Sequence, residues 1–455
     1  MLKHPFLFAL VLFFSASQAQ NDDSLVIRKI YNESLRSHVA YSNLEHLCIK
    51  IGSRLSGSQQ LTDAIQYTKQ LMTDMKLDTV YLQEVKIPHW IRGDKEICRV
   101  TSTDISMNLD NCALGGSVGT GVKGITANVI EVSSFDQLKA LGKTVINGKI
   151  VFFNQVADPT HINTFEAYGE VAYQRVHGAS EASKYGAVAV LVRSLNPGHD
   201  DYPHTGIMAY DKSVAMIPAF ALSTNSADKL SKLLKTAKDI SVYIRNTSEW
   251  RTDTTGFNVI GELKGSKFPD EIITVGGHLD SWDEGQAAHD DGAGCMEAIE
   301  VLRIFKTTGI RPQRTIRAVM FMDEEIHQSG GRKYAEMAGK NNEKHYFAVE
   351  SDEGVAIPVG FSVQGSDLHV AAIKKFLPYL RPYGIYFIEK GYGGVDLQEL
   401  SAFKIPLISI VPDNSRYFDY HHSPNDTFDK VNEREMQFAS AAIASLIYIL
   451  DKSGY

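Results

Sequence analysis

Histidines and carboxylates collect at the ends of β-branched runs in the C-terminal half of this 455-residue chain. Gly277-His278-Leu279-Asp280 follows the run 272–276, and His289-Asp290-Asp291-Gly292 opens the next stretch. Asp323-Glu324-Glu325 follows 315–322, and Glu350-Ser351-Asp352 follows 346–349. Beyond 407–411 the chain reaches Tyr420-His421-His422. Imidazole nitrogen and carboxylate oxygen are donors for zinc in compact tetrahedral sites. Two histidines and three carboxylates from this set suffice for two ions if one carboxylate bridges them. Such ions, roughly 3.5–4 Å apart, can hold both an attacking water and a carbonyl oxygen. Glu324 and Glu325 are adjacent on an irregular segment, so their side chains can diverge. One can ligate while the other takes a proton from water, whose pKa zinc lowers toward about 7. Asp280 is placed to accept the second imidazole N–H of His278 and fix its tautomer. Each cluster alone reads as a turn or a solvated loop. Their recurrence at successive strand ends is what points to metal, because no HExxH signature is present. No CxxC pair offers a thiolate site either.

The elements that must position these residues alternate. Strands are predicted at 258–263, 272–276, 315–322, 346–349 and 407–411, and helices at 294–305, 330–338, 367–377 and 433–451. This order predicts an α/β fold, a mostly parallel central sheet with helices on both faces. Ligands bind such sheets at the carboxyl ends of the strands. Upstream, 24–47 reads as helical. A second helix follows Ser58, with Leu61, Ile65, Thr68 and Met72 on one face, and 80–87 reads as a strand. The texture changes after the turn-rich Gly115–Gly121 stretch. Short runs at 125–132, 149–153, 188–192, 217–222 and 240–244, with a helix over 173–185, predict a compact β-rich domain. The chain thus divides into 20–116, an inserted 117–250, and 251–455. His177 and His204 in the insert are isolated and read as structural.

The N-terminus has the layout of an export signal. Lys3 and His4 precede an apolar run from Pro5 to Phe14, and Ser17-Gln18-Ala19 resembles a cleavage site, so 1–19 is expected to be removed. Ten apolar residues fall short of the roughly 20 that span a bilayer. This predicts a secreted or periplasmic protein without stable membrane insertion. Composition is ordinary, 44% hydrophobic and 22% charged, and the net charge of −8 argues against nucleic acid as a partner. Cys98 and Cys112 are close enough in sequence to bridge neighbouring strands, and spacing leaves bridge and free thiols equally open. Asn32, Asn246 and Asn425 begin N-x-S/T patterns.

The run His278-Leu279-Asp280-Ser281-Trp282-Asp283, with Asp290-Asp291-Gly292 after it, resembles the co-catalytic two-zinc aminopeptidase and carboxypeptidase family. Gly52-Ser53-Arg54-Leu55-Ser56-Gly57-Ser58, Ile87-Pro88-His89-Trp90, Pro203-His204-Thr205-Gly206 and His421-His422-Ser423 extend the resemblance over most of the chain. It implies two zinc ions per chain, with His278 and Asp352 on one, Glu325 and His422 on the other, and Asp290 bridging. It makes Glu324 the general base and Asp280 the residue that orients His278. It favours His422 over His421, because Ser-Pro-Asn-Asp-Thr after it matches the family's His-Thr-x-x-Asp-Thr pattern. It implies a cis bond between Asp290 and Asp291, a protease-associated insert, a homodimer, and hydrolysis of dipeptides or short peptides. The alternatives are an aminopeptidase on longer peptides, a one-zinc glutaminyl cyclase, or a non-enzymatic binding protein on this scaffold. His289 stands where relatives carry an apolar residue, and Gly391–Asp396 departs from their Gly-Thr-Asp version.

Overall fold

A computed structural model describes residues 22–102 and 105–454. The expected export signal at 1–19 lies outside the described residues. The strands are β1 (Thr79–Ile91), β2 (Ile97–Ser102), β3 (Ile105–Asn108), β4 (Asn111–Ala113), β5 (Ile125–Val132), β6 (Ile150–Phe153), β7 (Ala189–Arg193) and β8 (Ala219–Leu222). They continue with β9 (Ser241–Arg245), β10 (Glu249–Leu263), β11 (Phe268–His278), β12 (Arg314–Phe321), β13 (Lys344–Glu350), β14 (Pro358–Gln364), β15 (Phe387–Lys390) and β16 (Leu407–Pro412). Two eight-stranded sheets result, ordered β1-β10-β12-β11-β13-β16-β14-β15 and β3-β2-β9-β5-β6-β7-β8-β4.

The first sheet is mixed. Its centre, β12-β11-β13-β16, is parallel. Antiparallel pairs join β1 to β10, β10 to β12 and β14 to β16. The parallel centre is the part that the strand–helix alternation made legible. Successive strand residues face opposite ways, so the sheet is apolar on both sides. Val259, Ala318 and Met320 face one core, whereas Ile260, Val319 and Phe321 face another. Residues from Val39–His46, Gln59–Asp74, Ala293–Thr308 and Glu433–Ser453 fill the first. Tyr334 on helix Ser329–Lys340 packs into the second. Ser58 starts Gln59–Asp74 by accepting the Leu61 N–H, a cap that ends the preceding loop.

The second sheet is itself α/β rather than only β-rich. Its strands β5-β6-β7-β8 are parallel, and parallel neighbours need crossovers. Helices Phe135–Ile146 and Thr164–Ser183 supply the first two, residues 194–218 make the β7–β8 connection, and helix Thr224–Thr236 leads from β8 to β9. Val151, Phe153, Val190 and Val192 face one helix layer, and Ile150, Phe152, Ala189 and Leu191 the other. Strands β2, β3 and β4 precede residue 117 yet belong to this sheet. Cys98 on β2 and Cys112 on β4 are not on neighbouring strands, and all four cysteines are buried free thiols. No helix among the described residues is long and apolar enough to cross a membrane.

Candidate metal centre

Five chain segments meet at the carboxyl ends of the parallel strands. His278 is the last residue of β11, and its Nε2 lies 3.1 Å from Asp290 Oδ1 and 3.1 Å from Asp352 Oδ1. Asp290 Oδ2 lies 3.3 Å from His422 Nε2, which is 3.1 Å from Glu325 Oε2. His421 is farther, with Nε2 3.8 Å from Asp290 Oδ2. Donor atoms of His278, Asp290 and Asp352 form one group within 4.8 Å, and those of Asp290, His421 and His422 form another. Asp290 belongs to both. Glu324 Oε2 stands 4.0 Å from His278 Nε2, and its side chain is more exposed than that of Glu325, 16% against 3%. The five expected ligands and the expected base, Glu324, are therefore brought together.

Backbone geometry holds these side chains in place. The Asp290–Asp291 peptide is cis, as the resemblance implied. Asp291 turns away from the cluster, accepting the His278 N–H at 3.0 Å and capping helix Ala293–Thr308 through the Gly294 N–H at 2.9 Å. Only glycine fits at 277, where a Cβ would stand 2.2 Å from Asp291 Oδ2. Asp426 accepts the N–H groups of Ala288, His289 and Asp290 at 2.8–3.1 Å. Arg54 is fully buried and donates to the carbonyls of Leu279, Gly52, Gln286 and Ala287. His422 itself sits at φ 59, a conformation that non-glycine residues keep only where surroundings impose it.

Asp280 acts differently from its sequence expectation. His278 Nδ1 faces the Asp280 backbone carbonyl at 3.0 Å, whereas the carboxylate is 3.9 Å away. That carboxylate instead accepts the N–H groups of Glu324 and Glu325 at 3.1 and 3.3 Å. One residue thus orients the imidazole and the glutamate pair together. His289 is structural: it stacks on Tyr420 and accepts the Val355 N–H through Nδ1. Ser117 falls within Gly115-Gly116-Ser117-Val118-Gly119, which has the letters of a nucleophile elbow. Its hydroxyl is committed to the Val118 carbonyl and the Ala219 N–H within the second sheet.

The electrostatics fit a cation. Burial raises the pKa values of Glu324 and Glu325 well above the usual carboxylate range, and neighbouring carboxylates push them further while His278 opposes. Asp352 is raised by burial with His278 opposing. Asp290 goes the other way: burial would raise it, but the His278 hydrogen bond and the nearby histidines hold it well below normal. Buried like charges of this kind are unfavourable unless paired or metal-bound. Asp290 Oδ2 and Glu325 Oε1 are buried without a hydrogen-bond donor. The donor set therefore fits divalent metal.

The second sheet reaches the site through the loop after β7. Thr205 donates its N–H to the His422 carbonyl at 2.8 Å, and His204 Nδ1 lies 2.7 Å from the His421 carbonyl. Gly206 leaves room for Arg175 and His422 Nδ1, since a Cβ would meet both within 2.8 Å. Trp282 packs its ring 5.9 Å from that of His422. Sequence reasoning gave Arg54, Asp426 and Arg175 no role, because their partners are distant along the chain.

Convergent histidines and carboxylates at the ends of parallel strands define a metal-dependent hydrolase. Comparison with known proteins agrees. Residues 258–447 match the family model "Peptidase family M28". Carboxypeptidase Q of Bos taurus is 34% identical over 411 residues, covering 90% of this chain and 85% of that one. The structure of a peptidase M28 precursor from Shewanella amazonensis SB2B matches with a TM-score of 0.91 at 33% identity, covering 96% of this chain and 98% of that one. A zinc aminopeptidase from Bacillus subtilis shares the fold at 19% identity, with a TM-score of 0.67 and coverage of 91% and 96%. The chain belongs to peptidase family M28 and is a zinc-dependent exopeptidase, a hydrolase.

Proposed function

We propose that this chain is a secreted exopeptidase holding two zinc ions and cleaving dipeptides or short peptides. The observation that carries the reading is the sharing of Asp290 between two donor groups, one with His278 and Asp352, the other with the adjacent histidines. In this reading His278 and Asp352 hold one ion, Glu325 and His422 the other, and Asp290 bridges. Bound zinc supplies a more acidic water and a polarised scissile carbonyl. Glu324 takes the proton of the attacking water and returns it to the leaving amine, general acid–base work worth about 10²–10⁴ in rate. Asp280 keeps that glutamate aimed through its N–H. The body built on the second sheet serves as the protease-associated insert, 117–250 with β2 to β4 added, and covers the cleft. Residues 1–19 act as the export signal, and the active form is a homodimer.

Dipeptides with free termini, matched peptides blocked at one or both ends, and longer peptides form the test. The zinc-loaded protein should cleave free dipeptides at least a hundredfold faster than doubly blocked peptides. Preference for longer peptides with a free amino end would move the assignment to an aminopeptidase. Cyclisation of an N-terminal glutamine without hydrolysis would overturn it.

A further inference from the structure

A cavity of about 460 Å³ opens beside Asp352 and extends away from the metal-binding cluster. It is within the range of sites that enclose a ligand group. Phe387, Val395 and Val411 line it from the first sheet and its loops, and Phe165 from the second-sheet body. Phe165 is held by stacking on Tyr417 and packing against Phe418. The Glu353 carboxyl also lines this cavity, one residue beyond Asp352.

The charge of the lining is uneven. Asp352, Glu353 and Glu389 are acidic, and Lys390 is the basic residue among the lining groups. Lys390 is engaged, its Nζ 2.7 Å from Asp367. Glu389 has Lys374 at 3.9 Å. Glu353 makes no ion pair within 4 Å among the described residues, and the Ser409 hydroxyl is its polar neighbour. A half-apolar cavity with an unpaired carboxyl matches a side chain with a long aliphatic stem and a cationic head. The α-ammonium of a substrate is too small to fill it, because that nitrogen sits on the Cα next to the scissile carbonyl carbon and brings no aliphatic stem. An acidic side chain would face like charges, which disfavour it.

We infer that this pocket receives the side chain of a lysine or arginine flanking the scissile bond, with its stem over Phe165, Phe387 and Val411 and its head at Glu353. The inference rests on the exopeptidase reading and adds the substrate class. The arriving cation supplies the counter-charge that Glu353 lacks.

The zinc-loaded wild-type protein is assayed on Lys-Ala, Ala-Lys, Leu-Ala, Ala-Leu, Glu-Ala and Ala-Glu. In one of the two positions, lysine should exceed leucine at least tenfold in kcat/KM and glutamate at least a hundredfold. Glu353→Gln should lower the lysine-to-leucine ratio about tenfold, and Glu353→Asp should keep the order. Leucine or glutamate equal to lysine in both positions overturns the inference while leaving the peptidase reading intact. An unchanged ratio in zinc-loaded Glu353→Gln overturns it too. If none of the six is cleaved, the exopeptidase reading fails first and takes this inference with it. Should Glu353→Gln lose zinc, Val411→Lys gives the second readout. A fixed ammonium on β16 should lower lysyl cleavage at least tenfold relative to glutamyl, and an unchanged ratio contradicts the pocket assignment.

Discussion

Arg54 shows how one side chain can hold a site that it never touches. It is a buried cation whose recorded partners are backbone carbonyls, three of them in the segment between His278 and Asp290. Arg54→Met removes those donors and leaves buried carbonyls unpaired, at a cost of about 3 kcal/mol or more. Denaturant unfolding should show that loss, together with weaker zinc retention. Unaltered stability would mean that solvent replaces the guanidinium. At this scale the sequence was informative about chemical type. His278, Asp290, Glu325, Asp352 and His422 were legible because histidines and carboxylates recur after apolar runs. The choice within the adjacent pairs came from resemblance, and the geometry now places His422 beside Glu325. Asp280 was legible as a partner of His278. Its grip on the backbone of Glu324 was not, because 44 residues separate the two.

Helix Ala293–Thr308 begins three residues after Asp290 and carries a buried acid, Glu297, beneath the candidate site. Burial pushes Glu297 up to about 8, with the Ser351 hydroxyl opposing. The folded protein therefore keeps this proton where the unfolded chain has lost it. Stability contributed by this group is present below the ordinary glutamate value of 4.5 and falls as pH rises toward about 8. Glu297→Gln removes that slope. Its melting temperature relative to wild type should rise between pH 5 and pH 8, whereas a constant offset would contradict the assignment. Asp426 works on the same segment. Asp426→Ala should weaken zinc binding by roughly 10–100-fold, the usual cost of losing support behind a ligand, and zinc competition titration measures it. Elements with strong local signals were legible, as β5 and helix Glu433–Ser453 show. Helix Phe135–Ile146 was hidden because Gly142, at φ 63, breaks its periodicity. Helix Thr224–Thr236 carried a readable face, Ala227 and Leu230, and a Ser223 cap. The β-rich texture of its surroundings masked it.

Across the whole molecule, the two sheets meet at the candidate centre. The second sheet offers none of the proposed ligands, yet Thr205 and His204 fix the backbone of the His421–His422 pair. His204→Ala should reduce kcat/KM about tenfold and speed zinc loss to a chelator. Equal zinc loss in mutant and wild type would confine His204 to packing. Metal binding to the folded state alone adds about 4 kcal/mol at a thousandfold excess over Kd. Chelation should accordingly lower the melting temperature, and added zinc should restore it. The joining of the sheets was not legible in sequence. Strands β2 to β4 precede the change in texture at 117, and the 204–421 contact links residues 217 apart.

Zinc content and dipeptide hydrolysis, measured together on wild-type protein and Glu324→Gln, test the central claim most directly. Two zinc ions per chain in both proteins, with kcat of the variant lower by about 10²–10⁴, is the predicted result. One zinc per chain, or a fully metallated variant that hydrolyses dipeptides at the wild-type rate, would contradict it.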